Sequence, residues 1–260
     1  MDNKSGYDRS EACLRQLRQS EIETVKKWVR PNIRVLEIGG GSGYQASLLA
    51  AYGCQVFSVD LENRKKQQAS YFTVQSYDGR HLPFEAASFD LIFSSNVLEH
   101  VRDLPSLLEE MRRVLKADGR MIHILPSASW RFWTSLAHYI YVPLFFFRRR
   151  NASEKSAQAS LDDLKARYSN FFLIKNTLFP GPHGEYSNAL SELYYFSKHR
   201  WCRLFKKNHC EIVAFLQNGL FYTGYGLFPG MSLDLRKKLA SFLGASCHIF
   251  VMDFRSFRET

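Results

Sequence analysis

The sequence predicts an α/β fold: a doubly wound, mainly parallel sheet with helices on both faces and a mainly helical cap inserted late in the chain. Three observations predict it. Arg34–Asp60 reads as strand, glycine loop, helix and strand in immediate succession, a βαβ unit whose helical crossover requires parallel strands. The alternation of strand and helix patterns then continues to Ser127. Finally, 260 residues with 45% hydrophobic and 23% charged content suffice for one large core with an insertion and do not describe a disordered chain.

Taken in order, residues 1–30 form an N-terminal helical segment. Its clearest part is Glu21–Val29, where Ile22, Val25, Trp28 and Val29 recur at helical spacing before Pro31 ends the helix. Ile33–Ile38 is the first strand, "YQASLLAAYG" a short helix closed by Gly53, and Gln55–Asp60 the second strand. "FTVQSYD" and Phe89–Ser95 supply two more strands. Asp103 caps a helix whose apolar positions Leu104, Leu107, Leu108, Met111, Val114 and Leu115 follow the helical period, and "RMIHILPS" is the fifth strand. Residues 31–127 are thus the α/β core. The register is then lost: Trp130–Arg150 is dense in aromatics and a polar stretch, "NASEKSAQASLDD", follows. Residues 128–201 read as an inserted cap, and 202–260 as helices and strands that complete the sheet.

The net charge of +10 favours anionic partners. Cys13, Cys54, Cys202, Cys210 and Cys247 form no C-x-x-C pair and no Cys/His ladder of zinc spacing, so no metal site and a reducing, cytoplasmic setting are expected. The polar start of the chain lacks the apolar core of a signal peptide, and export is not expected.

Three kinds of glycine loop compete for "EIGGGSGYQ". A phosphate-binding P-loop needs Lys-Ser/Thr after its last glycine, whereas Tyr44 and Gln45 follow Gly43. A dinucleotide fingerprint counted from Gly39 needs glycine at position 44, where Tyr44 stands. The spacing Glu37-x-Gly39-x-Gly41-x-Gly43 instead resembles the first motif of class I S-adenosylmethionine-dependent methyltransferases of the type 11 group. Asp60 at the end of the second strand, "YDGRHLPFEAASFDLIFSSNVLEHV" and "LEEMRRVLKADGRMIHI" extend the resemblance over about Ile33–Ser127.

This resemblance implies a Rossmann-like sheet of seven strands and S-adenosyl-L-methionine as cofactor. Gly39, Gly41 and Gly43 would let the backbone approach it, and Asp60 would accept from its ribose hydroxyls. Glu37 would hold its ammonium group, Asp78 and the Gly79 amide would face its adenine, and Asn96 and Glu99 would stand near its sulfonium end. Glu37, Asp60 and Asp78 also suit a plainer reading as strand-end or turn-forming acids. His100 in "VLEHV" and His183 in "PGPHGEY" are the candidate catalytic bases, with a structural histidine as the alternative for each.

For the acceptor, "SSNV" stands where amide-nitrogen methyltransferases of DNA and protein carry "DPPY", and the Pro-Cys nucleophile of cytosine methylation is missing. Both points argue against nucleic acid as substrate. Phe132–Phe147 is too short for a comfortable membrane span and contains His138 and Pro143. Its aromatics and the following Arg148–Arg150 suit either a lid over the active site or peripheral contact with anionic membrane through 130–150. The expected acceptor is an oxygen of a small molecule, a sugar or a lipid-linked glycan. The region "HGEYSNALSELYYFSKHRWCRLF" is similar to methyltransferases of bacterial surface-polysaccharide synthesis. Two alternatives stand beside this reading: a nicotinamide (NAD)-dependent oxidoreductase and a non-catalytic methyltransferase-fold binding module.

Overall fold

A computed structural model of the chain describes residues 2–61, 70–150, 180–185, 188–224, 228 and 230–254, with backbone alone for 2–10 and 142–150. The polar stretch expected after residue 150 lies outside them.

Seven strands form a single sheet: β1 (Arg34–Ile38), β2 (Gln55–Leu61), β3 (Val74–Tyr77), β4 (Phe89–Ser95), β5 (Leu115–Pro126), β6 (Cys210–Gln217) and β7 (Cys247–Phe254), in the order β3-β2-β1-β4-β5-β7-β6. The first five are mutually parallel. β7 runs antiparallel to both its neighbours, β5 and β6. The central strands are apolar on both faces, as a sheet covered on two sides must be. Along β1, Val35 joins one core cluster while Leu36 and Ile38 join the other.

The helices divide between those two faces. α1 (Asp2–Val25) and α2 (Tyr44–Ala51) cover one, placing Ile22, Val25 and Leu49 against Leu91, Ile122 and Val251. α3 (Leu104–Val114) covers the other with Leu107, Leu108 and Met111. Asp103 caps α3 as expected, its carboxylate accepting the Ser106 N–H. α1 is longer than the Glu21–Val29 reading, and its last turns continue as a 3-10 turn at Lys26–Trp28. Only those last turns carry a continuous apolar face, so the sequence pattern reveals only the part that packs on the sheet.

Beyond β5 the chain enters α4 (Ala128–Arg150), which runs on through Pro143 as one helix. Its start is tied to the sheet by Ser127, whose hydroxyl accepts the Trp130 N–H and donates to the Ala245 carbonyl. α5 (Ala189–Tyr195) packs on α4, and α6 (Lys198–Lys207) returns to the sheet. Trp201, at the expected end of the insertion, is already core: it and Phe205 are fully buried with Met111, Phe250 and Met252. α7 (Leu233–Leu243) links β6 to β7. All five cysteines are free thiols.

Candidate active site

The glycine loop turns at the C-terminal end of β1, in the middle of the sheet. The Gly39 and Gly40 N–H groups donate to the Val59 carbonyl at 2.8 and 3.1 Å, which draws the loop across the end of β2. Gly43 opens α2 with φ +76°, and a Cβ there would lie 2.8 Å from the Phe72 backbone, so both conformation and space require glycine. A Cβ on Gly40 would fall 2.0 Å from Ser58 Oγ and 2.9 Å from Glu37 Oε2. The sequence reading gives Gly40 no role, but its missing side chain makes room for a buried carboxyl.

That carboxyl, Glu37, accepts a 2.6 Å hydrogen bond from Ser58 Oγ, and burial pushes its pKa up to about 7. It stands behind the loop rather than among the residues lining the cleft. Asp60 does line the cleft, its carboxylate accepting the N–H of Gly41 and of Leu61, both at 2.8 Å. The cleft encloses about 430 Å³, and Gly39, Asp60, Tyr77, Asp78, Gly79, Asn96 and His100 are among the residues that line it. Asp78 is also a turn former: its exposed carboxylate accepts the backbone N–H groups of His81 and Arg80, which hold its pKa well below the usual range.

Asn96, directly after β4, adopts φ +54°, a conformation that asparagine tolerates better than most residues. Its backbone N–H donates to the Ile124 carbonyl, and with the amide oxygen facing Arg18 it accepts from that guanidinium at 2.6 Å. Arg18 of α1 also donates to Glu21 and Ser95 at 2.8 and 2.7 Å. The N-terminal helix thereby braces the turn after β4. Nothing in the sequence marks Arg18 for this, since it reads as one more charge on a polar helix.

The same turn carries Glu99 and His100, and the loop at 180–185 folds down on it. The Glu185 N–H donates to the Glu99 carbonyl at 3.1 Å, and a Cβ on Gly184 would meet that oxygen at 2.6 Å. The backbone N–H groups of His183 and Gly184 donate to Glu192 Oε1 at 2.7 and 2.6 Å, and Glu192 pairs with Arg131 of α4 at 2.9 Å. Both members of this pair are buried. The result brings His183 within 5.0 Å of His100, ring centre to ring centre, with Trp130 4.6 Å from His183 on another side. Partial desolvation, reinforced by His100 and Arg131, lowers the His183 pKa although the ring keeps an exposed edge. Both candidate histidines therefore share one site, while Arg131, Glu192 and Trp130, which build it, escape the sequence reading.

Residues 36–123 match the family model described as "Methyltransferase domain". The chain carries a class I S-adenosylmethionine-dependent methyltransferase domain. The chain is 33% identical over 125 residues to the biotin biosynthesis bifunctional protein BioHC of Cellvibrio japonicus, covering 44% of this chain and 25% of that one. It is 31% identical over 112 residues to the glycine/sarcosine/dimethylglycine N-methyltransferase of Actinopolyspora halophila, covering 39% and 20%. The chain thus spans a quarter or less of the length of these two relatives. In fold it is similar to an S-adenosylmethionine-dependent methyltransferase of Thermotoga maritima, described as a possible histamine N-methyltransferase: TM-score 0.52, 17% identity, 96% of both chains covered.

The residues present in the methyltransferase domain fit this cofactor. The glycine turn leaves no Cβ between the ends of β1 and β2, and the Asp60 carboxylate faces the cleft as a charged acceptor for hydroxyl groups. Tyr44 begins α2 where a dinucleotide loop requires its third glycine, which weighs against the nicotinamide reading.

Proposed function

We propose that the protein methylates an oxygen of a hydroxylated acceptor, a small molecule, a sugar or a lipid-linked glycan of the surface-polysaccharide kind, bound at the His100 end of the cleft. S-adenosylmethionine, when bound, supplies a methyl group made electrophilic by its sulfonium sulfur. Asp60 and the Asp78–Gly79 backbone would hold the nucleoside, and His100 lines the same cleft. The meeting of His100 and His183 there is the observation that carries the reading. A hydroxyl must give up its proton to become a competent nucleophile, whereas a neutral amine need not, and two imidazoles beside the acceptor suit the hydroxyl. Trp130 packs against His183 on one side, and alignment of the acceptor beside the two rings would supply part of the rate.

A second, open groove of about 1050 Å³ begins where the cleft ends, sharing Val101 and Arg102 with it. Arg102, Arg200, Arg203, Lys206 and Lys207 line it together with Glu185 and Tyr194. Its cationic wall supports an acceptor that carries a phosphate or other anionic group, in keeping with the net charge of +10.

Calorimetry with S-adenosylhomocysteine, followed by transfer of labelled methyl to hydroxylated and amine acceptors, tests the reading. Asp60→Ala is expected to weaken S-adenosylhomocysteine by about tenfold or more, through loss of charged hydrogen bonds. His100→Ala and His183→Ala are expected to retain that affinity and lose transfer to hydroxyls. Binding of NAD in place of S-adenosylhomocysteine, or parental transfer rates in both histidine variants, would overturn it.

A further inference from the structure

We propose that Glu99, His100 and His183 form a binding site for a divalent first-row transition cation, with the acceptor completing its coordination. The location beside the acceptor rests on the methyltransferase reading above; the binding of the ion does not.

The evidence is the arrangement of three side chains and the state of one of them. Glu99 is 1% exposed, and neither of its carboxylate oxygens has a hydrogen-bond partner among the described residues. A buried carboxyl in that condition either keeps its proton or needs a cation beside it. The nearest candidates are the imidazoles, with Nε2 of His100 at 3.7 Å and Nε2 of His183 at 4.0 Å from Glu99 Oε1. Both distances are too long for hydrogen bonds. Two atoms bound to one ion at roughly 2.1 Å each stand about 3.0–3.5 Å apart in tetrahedral or octahedral geometry, so a small inward shift of the two exposed imidazoles closes the three ligands on an ion. One ligand atom from each residue lies within 4.8 Å of the other two.

Two imidazole nitrogens and one carboxylate oxygen form a mixed set suited to cations such as Zn²⁺, Mn²⁺ or Co²⁺. Three protein ligands also leave positions open, the mark of a site that binds substrate rather than one that only staples a fold. The backbone that carries the ligands is held in place. Glu192 fixes the His183 and Gly184 backbone while itself paired with Arg131, the Glu99 carbonyl is held by the Glu185 N–H, and Trp130 limits the travel of the His183 ring. A hydroxyl bound at an open position would ionise more readily: its O–H bond breaks, the electron pair stays on oxygen and the proton passes to water at the exposed edge of His100.

The test uses the full chain, stripped with a chelator and titrated with Co²⁺ while the visible absorption of the bound ion is followed, then with Zn²⁺ and Mn²⁺ by calorimetry. One equivalent is expected to bind. Removing a ligand in Glu99→Gln or His183→Ala should weaken it by no less than the roughly 10–100-fold lost when outer partners of a metal site are removed. S-adenosylhomocysteine binding serves as the check that each variant is folded, and His100→Asn replaces any that fails it. A parent that binds S-adenosylhomocysteine but no equivalent of any of the three ions would overturn the site, as would ligand variants that bind Co²⁺ like the parent. Co²⁺ bound by a parent indifferent to S-adenosylhomocysteine would leave the site standing and overturn the methyltransferase reading instead.

Discussion

Glu37 shows how much of a residue's setting a sequence pattern leaves out. Its position at the end of β1 is as expected, but its carboxyl lies behind the glycine turn, bonded to Ser58 and covered by Gly40. Burial raises its pKa from 4.5 to about 7. The folded state therefore holds this proton more tightly than the unfolded chain. The contribution to stability is fully present below pH 4.5 and is lost as pH rises through 7. Glu37→Gln removes that titration while keeping an acceptor for Ser58. Between pH 5 and pH 8 the variant should gain on the parent by on the order of 2 kcal/mol in urea unfolding. Parallel pH profiles for the two proteins would show that Glu37 ionises normally.

Helix α1 shows what an element contributes beyond its apolar face. Ile22 and Val25 dock it on the sheet, while Arg18 reaches past them to the end of β4. The Glu21 carboxylate is fully buried and receives Arg18, Tyr222 and Asn218, so one network ties α1 to β4 and to the segment between β6 and α7. Arg18→Met should destabilise the protein by about 2 kcal/mol, because it leaves a buried carboxylate short of its cationic partner. Adding Glu21→Gln should recover part of the loss, as seen in thermal unfolding of the single and double variants. Additive losses in the double variant would mean that the two side chains act independently.

At the scale of the molecule the unexplained feature is the outer side of the cap. Phe132, Leu136, Tyr139 and Ile140 recur on one face of α4, each 44–52% exposed, and Arg148–Arg150 end the helix. No helix among the described residues is long and apolar enough to cross a membrane. An apolar stripe with basic residues at its end has the composition of a segment lying against anionic lipid. The chain should float with vesicles rich in anionic lipid, less so at high salt, and Phe132→Ser with Ile140→Ser should abolish flotation. No flotation with anionic vesicles would assign the stripe to the cap alone.

The β1–α2–β2 unit was legible because its signals are local: strand formers, a glycine loop and a short helix follow one another, and each acts within a few residues. Asp60 and the glycine turn were legible for the same reason. The antiparallel placement of β7 between β5 and β6 has no local signature, because it depends on which sheet edge remains after α4 to α6 have packed. The passage of α4 through Pro143 runs against local preference.

The sequence by itself determined the α/β core and the glycine turn at its centre, since both are written in short-range spacing around one turn of chain. Only the tertiary structure decided that Glu99 and His100 meet His183. Those residues lie far apart along the chain, and what joins them is the buried Arg131–Glu192 pair and the backbone bond from Glu185 to Glu99, long-range contacts that no periodicity encodes.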